Sequence, residues 1–113
     1  MKYTLYRSRY ELPFDEAEIE ASIDREEEFD LVAVEYAANI DQAIPLLIKA
    51  IIDELSATPQ YSQCKVAAYS PNQYARNLSE EYTYEMIGIV YPPVAAHNIL
   101  ILFTVKEEPE TLI

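Results

Sequence analysis

The chain has one glycine, one cysteine, one histidine and no tryptophan, and each scarcity removes a class of function. Phosphate-cradling loops need several glycines for close backbone approach, so Gly88 alone excludes dinucleotide and Walker-type sites. A lone Cys64 permits neither an internal disulfide nor a thiolate metal cluster, and fits a reducing cytoplasm better than a secreted setting. It reads as a small core hydrophobe. His97 is the single imidazole, so nucleophilic triads and zinc sites lack their partners and it reads as an exposed structural residue. Positive charge is scarce too: eight Lys and Arg against twenty Asp and Glu leave a net charge of −12. Nucleic acid and anionic membrane surfaces would repel such a chain. The N-terminus leads into a charged stretch without the apolar core of a signal peptide, and no apolar run is long enough to span a bilayer. No cofactor and no metal are expected.

What is present is a globular composition. Half of the 113 residues are hydrophobic, enough for one self-standing domain, expected over 1–106, with 107–113 as a fraying acidic tail. Residues 2–12 carry β-formers and read as a strand ended by Pro13. Residues 29–38 place Val32, Val34 and Tyr36 two apart, which is strand periodicity. Ile40, Ile44, Leu47, Ile48, Ile51, Ile52 and Leu55 recur at three and four, predicting an amphipathic helix over about 42–56 with Asp41 as cap and Pro59 as stop. Pro45 predicts a start a residue or two late, because proline fits only where helical N–H groups lack partners. Residues 63–70 read as a strand, and the apolar runs 82–91 and 98–106 as a hairpin of central strands. Between 15 and 28, helix and strand signals balance: Asp15 with Glu18 resembles a capping box, yet Ala17, Ile19, Ala21 and Ile23 alternate with polar residues. The sum is an α+β two-layer domain, a mostly antiparallel sheet of four to five strands with one long helix on one face.

The strongest functional signal is local charge. Eleven of the twenty carboxylates lie between Glu11 and Glu35, with Arg25 the one basic residue among them. Such crowding raises carboxyl pKa values and is relieved by cations or a basic partner, so stability is expected to rise on mild acidification and with salt. Calcium loops need a glycine among alternating ligands, and Asp24 to Glu28 has none, so weak nonspecific cation binding is the expectation. A carboxylate-based, metal-dependent hydrolase, with Lys65 or Lys106 beside the acids, is the third reading.

The plain reading of the cluster is a solvated face; the sharper one is an anionic surface for a basic protein. If 16–24 is extended, Glu16, Glu18 and Glu20 project at about 7 Å intervals, twice the strand rise and similar to phosphates along a nucleic-acid strand. Asp24, Glu26, Glu27, Glu28 and Asp30 extend this candidate surface. Ten tyrosines form the second unusual feature. Tyr3, Tyr6, Tyr10, Tyr82 and Tyr84 suit cross-strand pairing, whereas Tyr61, Tyr69 and Tyr74, in or near a polar loop, suit recognition of an arginine-rich partner. The leading expectation is therefore a small cytoplasmic, non-enzymatic module that occludes a basic surface, as nuclease inhibitors, immunity proteins and anti-restriction or anti-CRISPR proteins do through nucleic-acid mimicry. The alternative is an assembly protein that homodimerises through a sheet edge.

Overall fold

The computed structural model describes residues 1–9, 11–13, 29–72, 84–94 and 97–109. The even-handed 15–28 segment and most of the acidic window lie outside these residues. Five antiparallel strands follow the spatial order β3-β1-β6-β5-β4, with β1 at Lys2–Ser8, β3 at Phe29–Tyr36, β4 at Lys65–Asn72, β5 at Tyr84–Tyr91 and β6 at Ile99–Glu108. A two-residue β2, Leu12–Pro13, pairs with β6. One helix, α1 (Ile40–Ala57), packs on one face. This is the expected α+β two-layer domain.

The strand expected over 29–38 ends at Tyr36 and the one expected over 63–70 runs Lys65–Asn72; three further boundaries differ from expectation, each for a physical reason. Pro13 does not end the first strand. The chain leaves the ladder after Ser8 and rejoins it at Leu12 and Pro13 opposite Leu100 and Ile99, where a strand end tolerates one missing N–H. Glu107 and Glu108, expected in the tail, belong to β6 and pair with Tyr3 and Lys2. The helix starts early instead of late, and Asn39 caps it instead of Asp41: Asn39 Oδ1 accepts from the Gln42 N–H at 3.0 Å, and Gln42 Oε1 reaches back to the Ala38 N–H at 3.4 Å. This reciprocal cap satisfies N–H groups that would otherwise be orphaned, and it outweighs the cost of Pro45. Because Pro45 lies within two turns of the cap on the exposed side, the carbonyl deprived of its helical partner is that of exposed Asp41.

The core is built as the periodicities require. Ala43, Leu47, Ile51 and Leu55 form the buried stripe of α1. They pack on Tyr3 and Leu5 of β1, Met86 and Val90 of β5, and Ile101, Phe103 and Val105 of β6. Gly88 lies in the middle of this layer, where a Cβ would meet Leu55, Phe103 and Ile51 within 2.8–3.2 Å. Its single hydrogen lets α1 approach the sheet. Cys64 is half-buried against the same core. β6 is buried on both faces, since Leu100 and Leu102 on the side away from α1 form a second small cluster with Ile87. A central strand covered on both sides explains the unbroken apolar run in its sequence.

Candidate functional site

β3 is one of the two edge strands of the sheet among the described residues. Among the described residues it has a neighbour on one side only, β1, paired from Lys2↔Tyr36 to Ser8↔Phe29. The register skips at Val32: Leu5 pairs with Ala33 and Tyr6 with Leu31. A bulge of this kind sets two residues against one and turns the extra side chain. Val32, which simple alternation puts beside Val34 and Tyr36, instead packs toward the core under α1. Leu31, Val34 and Tyr36 are left on the opposite face with 64%, 37% and 59% of their surface exposed. These three side chains form an exposed apolar strip along an edge strand.

The other side of β3 looks onto α1 across an open groove of about 520 Å³. Val32, Ala33 and Glu35 form one wall, and Leu46, Lys49, Ala50, Asp53 and Glu54 the other. Lys49 is engaged by Asp53 one turn along the helix at 4.0 Å, whereas Glu35 has no ion pair among the described residues. The groove lining therefore combines four apolar side chains with a net acidic set of Glu35, Lys49, Asp53 and Glu54. No group of three or more metal-ligating side chains is assembled among the described residues.

A second open cleft, about 540 Å³, adjoins it and shares Glu54. Here Arg9 forks onto Asp30, with Nε at 3.0 and 3.1 Å and Nη2 at 2.8 Å from the carboxylate oxygens. Arg7 Nη1 donates to Glu54 Oε1 at 3.1 Å and to Thr58 Oγ1 at 2.9 Å, and the Thr58 hydroxyl donates to the Glu54 carbonyl at 2.9 Å. The Tyr61 hydroxyl donates to the Glu11 carboxylate. These contacts tie the C-terminal end of α1 to the end of β1 and neutralise acids internally.

That neutralisation corrects part of the charge argument. Arg9 holds the Asp30 carboxyl below the usual carboxylate range, chiefly by its hydrogen bonds, where crowding alone predicts an upward shift. Tyr61 is also misplaced by sequence reasoning. With 3% of its surface exposed it is a core side chain, and burial first, then Glu11, pushes its hydroxyl pKa up. It has almost no area to offer a partner. Tyr69 is half-exposed on β4, its hydroxyl 3.4 Å from that of Tyr91. Glu16, Glu18, Glu20, Asp24, Glu26, Glu27, Glu28 and Tyr74 lie outside the described residues. His97 is exposed.

Comparison with protein-family models, with curated proteins and with solved structures gives no significant match. Sequence reasoning missed Leu31, Glu35 and Leu46 as site residues. Glu35 was visible as the last acid of the cluster, and Leu31 departs from the alternation of Val32, Val34 and Tyr36; that departure is the bulge seen from the sequence. No helix among the described residues is long and apolar enough to cross a membrane.

Proposed function

We propose that the protein is a non-catalytic binding module that captures a basic surface of another protein, with the nucleic-acid-handling enzymes as the class whose sites are positively charged by necessity. One observation carries this reading: an edge strand with three exposed apolar side chains runs beside a net acidic groove, on a chain of net charge −12. Apolar contact area gives such a surface affinity, and the surrounding negative charge gives it a fast, salt-sensitive on-rate and a preference for basic partners. The acids at 16–28 add to the negative charge of the chain, and inhibition of a nuclease or of restriction or CRISPR machinery in a reducing cytoplasm is the biological form that this charge and size suit.

The test is a capture experiment from lysate of the native host at low and high salt. Baits are the wild-type chain, a Glu35→Lys/Asp53→Lys variant and a variant with Glu26, Glu27 and Glu28 changed to lysine. Recovery of a basic protein by wild type, lost with either variant and weakened by salt, is the expected result. Identical recovery by all three baits would reduce the acids to a solubilising face.

A further inference from the structure

We propose that the occupant of the β3 edge is an extended segment of the basic partner, added to the sheet as a sixth long strand antiparallel to β3. This inference rests on the capture reading above and specifies how capture occurs. The two ends of the sheet are not equivalent. β4, at one end, carries Lys65 and Pro71, which are usual devices that stop a foreign strand from pairing. β3, at the other end, has neither lysine nor proline; of its exposed side chains Leu31, Val34 and Tyr36 are apolar, and the Asp30 carboxylate is held by Arg9.

Charge chooses between a second copy and a basic strand. Antiparallel self-pairing that sets Leu31 against Val34 of the other copy places Glu35 opposite an Asp30 whose charge Arg9 already offsets. The repulsion that opposes a second copy is therefore chiefly the net charge of −12 that each copy brings, with no cation supplied to Glu35. A strand carrying lysine or arginine opposite Glu35 reverses that sign.

The register then dictates a pattern. Side chains opposite Tyr36, Val34 and Leu31 lie on the exposed apolar face and should be apolar. The side chain opposite Glu35 faces the groove and should be basic. Val32 and Ala33 together oppose one position, whose side chain also faces the groove that Asp53 and Glu54 help to line. The occupant is thus an apolar–basic–apolar–basic–apolar run, in strict alternation. Main-chain hydrogen bonds supply affinity in this mode, and alternate side chains supply specificity.

The experiment is a fluorescence-anisotropy titration of the full chain against a labelled heptapeptide, Ser-Val-Lys-Val-Lys-Val-Ser. Two further peptides are N-methylated, one at its lysines and one at its valines. Alternate N–H groups of a strand point to the same edge, so one N-methylated peptide should lose at least tenfold in affinity while the other stays within about threefold. The Leu31→Lys and Glu35→Lys chains should each lose at least tenfold. Equal binding by both N-methylated peptides would overturn strand addition and leave capture by charge standing. No peptide binding, with a basic protein still captured in a Glu35-dependent way, would have the same meaning. Failure of both peptide binding and capture would remove both readings. Sedimentation showing a dimer that Leu31→Lys dissolves, with no peptide bound, would assign the edge to a second copy and overturn the proposal.

Discussion

Replacing Gly88 with alanine adds one methyl at the tightest point of the interface between helix and sheet. The new Cβ would lie 2.8 Å from Leu55 Cδ1, 2.9 Å from Phe103 Cε2 and 3.2 Å from Ile51 Cγ2, where ordinary contact begins at 3.4 Å. All three neighbours are fully buried. Leu55 can rotate its terminal methyl, but the Phe103 ring is held against Met86 of β5, its direct strand partner, so either α1 lifts off the sheet or the ring is forced off its rotamer. Overpacking of this kind costs about 1–3 kcal/mol. Alanine restricts the unfolded chain and returns about 0.4–1 kcal/mol. The balance is a loss of roughly 1–2 kcal/mol, which for a domain of this size lowers the melting temperature by roughly 4–10 °C. Urea unfolding followed by circular dichroism measures it directly, and Gly88→Val must cost more than Gly88→Ala. An alanine variant as stable as wild type would refute the close approach on which the core argument rests.

Other predictions address caps and charges. Asn39→Ala should destabilise the chain by about 0.5–2 kcal/mol in urea while Asn39→Ser recovers most of the loss, because the cap needs an oxygen acceptor for the Gln42 N–H. For Asp30 the folded-state pKa lies below the ordinary 3.8, so its stabilising effect is present above that value and disappears as pH falls through the folded pKa. The stability gap between wild type and Asp30→Asn should therefore be constant near neutrality and close in strong acid; a gap that widens on acidification would contradict the Arg9 pairing. Tyr61 and Tyr84 have hydroxyls raised above the ordinary 10.0 by burial and then by Glu11 and Glu107 respectively. Tyr3 is raised as well, fully buried with Glu107 nearby but outside hydrogen-bonding geometry. A raised acid pKa keeps the folded form protonated, so this stability is present below pH 10.0 and is lost as pH rises through the folded values. Ultraviolet titration should show these tyrosines ionising late, together with alkaline unfolding.

The elements were legible wherever local chemistry agreed with tertiary context. The helix announced itself because Leu47, Ile51 and Leu55 must share a face to be buried, and β5 and β6 did so because central strands need apolar residues on both sides. Pro45 misled because its effect depends on a cap six residues upstream. Gly88 was read only for what it excluded, since its packing role exists only once α1 lies over β5. The pairing of β1 with both β3 and β6 joins residues about thirty and a hundred positions apart, which no periodicity reveals. The site was legible in part. The acid cluster pointed to β3, but Asp30 looked free because Arg9 lies 21 residues away in the chain. Tyr61 looked like a loop residue because its neighbours, Gln60, Ser62 and Gln63, are polar, while its own ring closes the core.

The most direct test of the central claim is amide hydrogen exchange on the intact chain with and without saturating Ser-Val-Lys-Val-Lys-Val-Ser peptide, read strand by strand. The account predicts slowed exchange across Leu31–Tyr36 of β3 and no change across Lys65–Asn72 of β4. Unchanged β3 amides, or protection that develops along β4, would contradict it.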